Sequence, residues 1–136
     1  MHGFLDIVFI GDHGDYQKSL KKVAETLNKE WAATKVRAHA IDEYYRASTA
    51  DFAEMMKSRG YTPAEIGKHA GAADTSLALA VDPNLVRVDR MKAPNMGKAD
   101  GVDGDARRSS ADLGCQGVDL IVTRTVDAIR KATARR

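Results

Sequence analysis

The sequence of 136 residues holds one cysteine, Cys115. A lone thiol excludes an internal disulfide framework and a multi-cysteine metal site, and a small buried or partly buried side chain is expected there rather than a nucleophile. Long apolar runs are missing too. None approaches the roughly 20 residues that a membrane-spanning helix needs. The apolar start, Phe4 to Ile10, is short, interrupted by Asp6 and without a basic lead-in, so no secretory signal is expected and a reducing cytoplasm is the simplest setting. Nor is there an excess of one charge: 21 Lys and Arg stand against 19 Asp and Glu, a formal charge of +2. That balance points away from nucleic acid and from anionic membrane surfaces. Internal repeats and low-complexity linkers are absent as well. What is present is a globular composition, 43% hydrophobic and 29% charged in 14.8 kDa, which fits a single domain over residues 1–136.

Along the chain, strand-like and helix-like patterns alternate. Leu5 to Ile10 is a β-branched and aromatic run that stops at Gly11, the pattern of a buried strand. A polar turn, Gly11-Asp12-His13-Gly14-Asp15, leads to a helix from about Tyr16 to Trp31, where Leu20, Val23, Ala24, Leu27 and Trp31 share one face. A second strand is expected over Val36 to Ile41, and the strand–helix–strand order favours a right-handed parallel crossover. Ser48 to Arg59 reads as a short helix with Phe52, Met55 and Met56 inward, ended by Gly60. Thr62-Pro63-Ala64-Glu65 is a helix start: Thr62 as cap, Pro63 at the first position and Glu65 at the capping-box position. Gly71 to Val81 should be a buried helix, closed by Asp82-Pro83. Leu85 to Val88 is a third, weaker strand, and Lys92 to Arg108 a long loop. Ser110 to about Arg135 is the last helix, with Val118, Ile121, Val122, Val126 and Ile129 on one face. The alternation predicts an α/β layered domain with a small, mainly parallel sheet. Because the first strand begins almost at Met1, nothing is expected before it to cover the sheet edge; either the fold is incomplete or a partner subunit completes the edge, and a homo-oligomer is expected.

Ligands of open parallel sheets collect at the carboxyl ends of the strands, where the Gly11–Asp15 turn falls. Asp12, His13 and Asp15 offer one imidazole and two carboxylates within four residues, a donor set suited to a divalent cation such as Zn²⁺ or Mn²⁺. The same residues can equally serve the fold, with Asp12 capping the helix and His13 filling a polar turn. His69, at the entrance to the buried helix, can be a ligand, an acid–base group or a cap. Asp74 stands in an otherwise apolar helix, where it is either a buried carboxylate in need of a partner or simply exposed. Gly101-Val102-Asp103-Gly104-Asp105 can cradle a ligand through backbone N–H groups or form a plain surface loop. Tyr44 and Tyr45 either line a pocket or pack. No Gly-x-Gly-x-x-Gly follows the first strand, which argues against a dinucleotide site.

Three segments resemble the creatininase (creatinine amidohydrolase) family in the family order. Gly11-Asp12-His13-Gly14-Asp15 is similar to its strand-ending Asn-Gly-His-Gly-Gly-Asn. His69 to Leu77 is similar to its His-Ala-Gly-Glu-x-Glu-Thr-Ser helix, including a following Pro-x-Leu-Val at Pro83 to Val86. Gly101 to Ala111 is similar to its Gly-Val-x-Gly-Asp-Pro-x-x-Ala-Ser-Ala segment. Gly-Asp-His-Gly also resembles the opening of metallophosphoesterases, but their downstream Gly-Asp-x-x-Asp and Gly-Asn-His segments are missing.

The creatininase resemblance implies a three-layer α/β/α sandwich, homo-oligomerisation and metal-dependent hydrolysis of a cyclic or linear amide. On it, His13 is a metal ligand, Asp15 falls where creatininase has a Glu ligand, and Asp12 is a further candidate ligand. His69 matches a proton-shuttling His, and Asp74 falls on the second acidic position of the helix. With Gly104 and Asp105, Asp74 is a candidate contact for a small-molecule amide substrate. Departures are Ala72 for the first acidic residue, Tyr16 for the Asn closing the turn, and Ala106 for Pro. The family's amino-terminal segment, which supplies further Glu, His and Asp ligands, has no counterpart before Leu5. The chain therefore resembles the carboxy-terminal half of a family member. Two functions follow: a metal-dependent amidohydrolase completed by ligands from a partner subunit, or a degenerate, non-catalytic domain that binds a small molecule or a protein.

Overall fold

Val8, Phe9 and their neighbours favour extended backbone, and the chain does open with a strand, β1, over Asp6–Phe9. A computed structural model describes residues 3–91 and 97–134. Helix α1 (Gln17–Glu30) follows a 3₁₀ turn at Gly14–Tyr16, and β2 (Arg37–Ala40) comes next. β1 and β2 pair in parallel, Asp6 opposite Arg37 through Phe9 opposite Ala40, as the strand–helix–strand order predicts. The far edge of β2 is covered from α1. The Asn28 side-chain amide donates to the Ala38 carbonyl at 2.8 Å and accepts from the Ala38 N–H at 2.8 Å, taking the place of a third strand.

Four-residue α2 (Glu43–Arg46), a π-helical turn (Ala47–Asp51) and α3 (Phe52–Lys57) run on from one another, ahead of the Ser48 start expected for this segment. Helix α4 (Pro63–Ile66) has the capping box that Thr62 and Glu65 predict: the Thr62 hydroxyl accepts from the Glu65 N–H, and the Glu65 carboxylate accepts from the Thr62 N–H at 2.8 Å. Then come α5 (Ala72–Val81), α6 (Val88–Met91) and the long α7 (Ala111–Thr133). The chain divides into two compact units. One runs up to Ser48 and resumes at Val122; the other is Thr49–Ile121.

The second unit has a well-defined core of Phe52, Met56, Ile66, Ala72, Ala73 and Leu113, with Met55, Leu77 and Leu120 packed against it. Phe52 and Met56 are fully buried, as their helical spacing predicts. Gly114 is what lets α7 lie against α5, because a Cβ there would collide with the Ser76 carbonyl oxygen. The buried Ser76 hydroxyl accepts the Ser110 N–H at 3.3 Å, and the Ser110 hydroxyl accepts the Leu113 N–H at 3.2 Å, which fixes the start of α7.

Four expectations need correction. Leu85–Val88 is not a strand. Asp82 caps a 3₁₀ turn at Pro83–Leu85 by accepting the Asn84 N–H at 2.9 Å, and α6 starts at Val88. An apolar run of four residues cannot by itself separate strand from helix, and the Asp-Pro start decides for the turn. The sheet therefore has two paired strands among the described residues, and the α/β domain is mostly helical. On α7, Val122 and Val126 are exposed, and Gly117 and Thr125 occupy buried positions instead. Val23 on α1 is likewise exposed. Cys115 is exposed rather than buried. Of the loop expected over Lys92 to Arg108, residues 92–96 lie outside the described residues; the rest holds 3₁₀ turns at Lys98–Asp100 and Ala106–Arg108.

Candidate functional site

In the first unit, the polar turn after β1 is laced by its own neighbours. His13, not Asp12, caps the 3₁₀ turn, and its Nδ1 accepts the Asp15 N–H at 3.2 Å. Asp12 Oδ1 accepts the Tyr16 hydroxyl at 2.6 Å. That bond holds the Asp12 carboxyl below its ordinary range and raises the Tyr16 phenol. The Tyr16 ring stacks on His13 with centroids 5.6 Å apart. Gln17, at the head of α1, donates its side-chain amide to the Gly11 and His13 carbonyls at 2.8 and 3.0 Å. Sequence reasoning passed over Gln17, although an amide one residue beyond a glycine turn is a fair signal for such lacing. Tyr45 also reaches this turn, since its hydroxyl sits where a side chain on Gly14 would go.

The chemistry of these donors does not fit a metal centre as they stand. Asp12 and the Nδ1 of His13 are engaged in local bonds, and the Asp15 side chain is 96% exposed. Among the described residues no three His, Cys, Asp or Glu side chains converge to hold a metal ion. Another histidine of this unit, His39, pairs instead with Asp6 across the sheet, Nε2 to Oδ1 at 2.9 Å.

In the second unit, a cradle forms where α5 begins. Asp103 and His69 make an antiparallel bridge, with the Asp103 N–H donating to the His69 carbonyl at 2.8 Å and the Lys68 N–H donating to the Asp103 carbonyl at 2.6 Å. Gly67 has φ of +69°, and a Cβ on it would strike the Asp103 carbonyl oxygen, so glycine is required for this crossing. Ala70 sits in the left-handed region at φ of +52°. Its neighbours hold it there: its N–H donates to Asp74 Oδ2 at 3.0 Å, and its carbonyl accepts the Thr75 hydroxyl at 3.2 Å. Asp74 is therefore an exposed carboxylate on the first turn of α5, not a buried one.

Asp105 caps the next turn. It accepts the Arg107 N–H at 3.0 Å and the Arg107 side-chain Nε at 2.9 and 3.0 Å to its two oxygens. The Arg107 guanidinium holds the Asp105 carboxyl down to about 2, and Arg107 is raised in return. Glu65 is held to about 2 by the Thr62 N–H first and the Arg108 guanidinium second, and Arg108 also lies over the Tyr61 ring at 4.0 Å. Those bonds tie Gly60, Tyr61 and Glu65 to Arg108 across more than forty residues of chain.

A cleft of about 530 Å³ opens beside this cradle. Ala70, Asp74, Thr75 and Ala78 of the α5 region line one side, and Leu85 to Arg87, Arg90 and Met91 another. Val102 and Gly104 to Arg107 complete it. The structure thus brings Asp74, Gly104 and Asp105 to one cleft. His69 is exposed and is not among the residues lining it, while Asp12, His13 and Asp15 belong to the other unit. Sequence reasoning missed Arg87, Arg90 and Arg107. The three-residue spacing of the first two, directly after an apolar pair, was the available signal.

No described helix is long and apolar enough to cross a membrane. No curated protein and no solved structure matches the chain. A family model does: Creatininase, described as creatinine amidohydrolase, matches residues 1–129 of the 136. The match covers both the turn after β1 and the cradle of α5, so the chain belongs to the creatininase family, an amidohydrolase-like family.

Proposed function

We propose that this chain binds a small amide in the cleft of the Thr49–Ile121 unit and serves in hydrolysis of that cyclic or linear amide as part of a subunit assembly. One observation carries the reading: Asp74, Gly104 and Asp105, drawn from segments some thirty residues apart, line a single cleft. The cleft lies beside a strained Ala70 that Asp74 and Thr75 hold in place. Backbone strain of this kind persists where the surroundings enforce it, and such places are commonly binding or catalytic. A cavity of this size suits a small molecule.

In this reading Asp12, His13 and Asp15, which do not make a centre by themselves, would hold a divalent metal, Zn or Mn, only with further ligands from a partner subunit, and that metal would supply an activated water. His69 is the candidate proton carrier. A homo-oligomer is the expected assembly: among the described residues β1 has a strand on one side only, and a second copy at that edge would extend the sheet toward the three-layer sandwich that the resemblance implies. The alternative is a binding domain without turnover, and the local bonds that occupy Asp12 and His13 favour it.

The test is metal content by elemental mass spectrometry on protein purified without chelator, beside His13→Ala, together with amide turnover and light scattering. One or more ions per chain, lost in the variant, with turnover in an oligomer, is the expected result. A metal-free monomer inert with added Zn²⁺ or Mn²⁺ sinks the hydrolase reading and leaves the binding domain.

A further inference from the structure

We infer that the cleft of the Thr49–Ile121 unit selects amides that carry a free carboxylate, read by the guanidinium groups of Arg87 and Arg90. This rests on the amide-binding role proposed above and adds the chemistry of the ligand. The cleft holds three arginines and two aspartates. Arg107 is spent: it forks both oxygens of Asp105. Asp74 gives Oδ2 to the Ala70 N–H. Among the described residues the Arg87 and Arg90 guanidinium groups have no ion-pair or hydrogen-bond partner, their backbones bonding only within the turn into α6, and both residues line the cleft.

A guanidinium keeps its charge at any working pH and presents a planar fork of donors that matches a carboxylate. The unpaired excess among the lining side chains is therefore positive and lies on Arg87 and Arg90. Asp74 lines the same cleft from the α5 side. Its carboxylate can accept an amide N–H of the ligand, and it repels a second negative charge. The lining thus favours a monoanion with a neutral N–H-bearing group over a dianion such as phosphate. Leu85, Val86 and Met91 supply apolar surface for a short methylene link between the two ends. A charge-assisted bond of this sort is worth about tenfold or more in affinity over a neutral contact.

Calorimetric titration of the full chain with succinamate, with its uncharged isostere succinamide, and with inorganic phosphate tests this. Succinamate is expected to bind about tenfold or more tightly than succinamide, and phosphate at equal concentration is expected not to displace it. Arg87→Gln and Arg90→Gln, both at exposed positions, should each weaken succinamate about tenfold and narrow its margin over succinamide. Equal affinity for the two amides in the parent protein overturns the inference, as does no binding of succinamate, displacement by phosphate, or variants that bind succinamate like the parent. Turnover separates the two readings. Hydrolysis without preference for carboxylate-bearing amides removes this inference alone, whereas carboxylate-selective binding without hydrolysis removes only the hydrolase reading.

Discussion

The turn after β1 and the cradle at the head of α5 are both polar loops with glycines at close quarters, but they are held together over different distances in the chain. In the turn, Asp12 meets Tyr16, His13 meets Asp15, and Gln17 reaches back to Gly11 and His13, all within six residues. In the cradle, Lys68 and His69 bond Asp103, and Glu65 bonds Arg108, both across more than thirty residues. Three of these four bonds in the turn are exposed, and it can exist on its own local terms. The cradle exists only if the surrounding unit folds, because its partners come from distant sequence. A cleft accompanies the second arrangement, where fixed backbone from several segments can define a shape.

This contrast can be broken most severely in the core beneath the cradle. Phe52 is fully buried, and Phe52→Ala is expected to cost about 3–5 kcal/mol in urea unfolding, with loss of the cleft's ligand binding in parallel. A loss under about 1 kcal/mol would mean that the core collapses around the cavity and that the cradle does not depend on it.

Glycines sharpen the comparison next. A methyl on Gly114 meets the Ser76 backbone carbonyl, which cannot move aside without shifting α5. Gly114→Ala should therefore cost about 1–3 kcal/mol. At Gly14 the obstacle is the Tyr45 hydroxyl, 2.8 Å from the added atom and at the far end of a side chain that can swing away. Gly14→Ala should stay within about 0.5 kcal/mol. Equal midpoints for the two variants in the same unfolding assay would contradict the distinction between backbone and side-chain obstruction.

Acid should act on the cradle. The Glu65 carboxyl is depressed from 4.5 to about 2, so it stabilises the folded chain while ionised. That contribution is complete above about pH 4.5 and is lost as the pH falls toward about 2. Asp105, depressed from 3.8 to about 2, adds to the same acid limb. Urea midpoints measured against pH should fall over this window, and Glu65→Gln should flatten the fall; an unchanged slope in the variant would detach Glu65 from the stability of the cradle.

The smallest effect is expected in the turn. Tyr16→Phe removes the hydroxyl that Asp12 accepts. The Asp12 carboxyl should then titrate upward toward its ordinary range, as NMR of its carboxyl carbon would register, with no measurable change in unfolding midpoint. A large stability loss would show that the turn anchors more of its unit than its local bonds indicate.

Legibility in the sequence followed the range of the interactions. The parallel β1–β2 pair, the Thr62–Glu65 capping box and the inward Phe52 and Met56 were readable because period, cap chemistry and neighbouring residues act within one or two turns. Leu85–Val88 misled because a four-residue apolar run lacks a period, and the Asp82 cap and Pro83 ahead of it set a turn instead. The outward turn of Val122 and Val126 was hidden because α7 passes from one unit to the other, so a single stripe does not serve its whole length. Of the candidate site, the resemblance led to Asp74, Gly104 and Asp105, which do line one cleft, but nothing in a single sequence shows that Arg107 occupies Asp105 or that Arg87 and Arg90 share the cavity.

The sequence by itself determined the local matters: strand and helix periods, the caps, the polar turn, and the family membership that the match over residues 1–129 bears out. Only the tertiary structure decided which charges pair, which helix faces are covered, and that the segments around Asp74, Arg87 and Asp105 enclose a common cavity. The physical reason is that pairing, burial and cavity shape depend on groups brought close in space from far along the chain, and hydrophobic pattern and spacing carry no record of those distances.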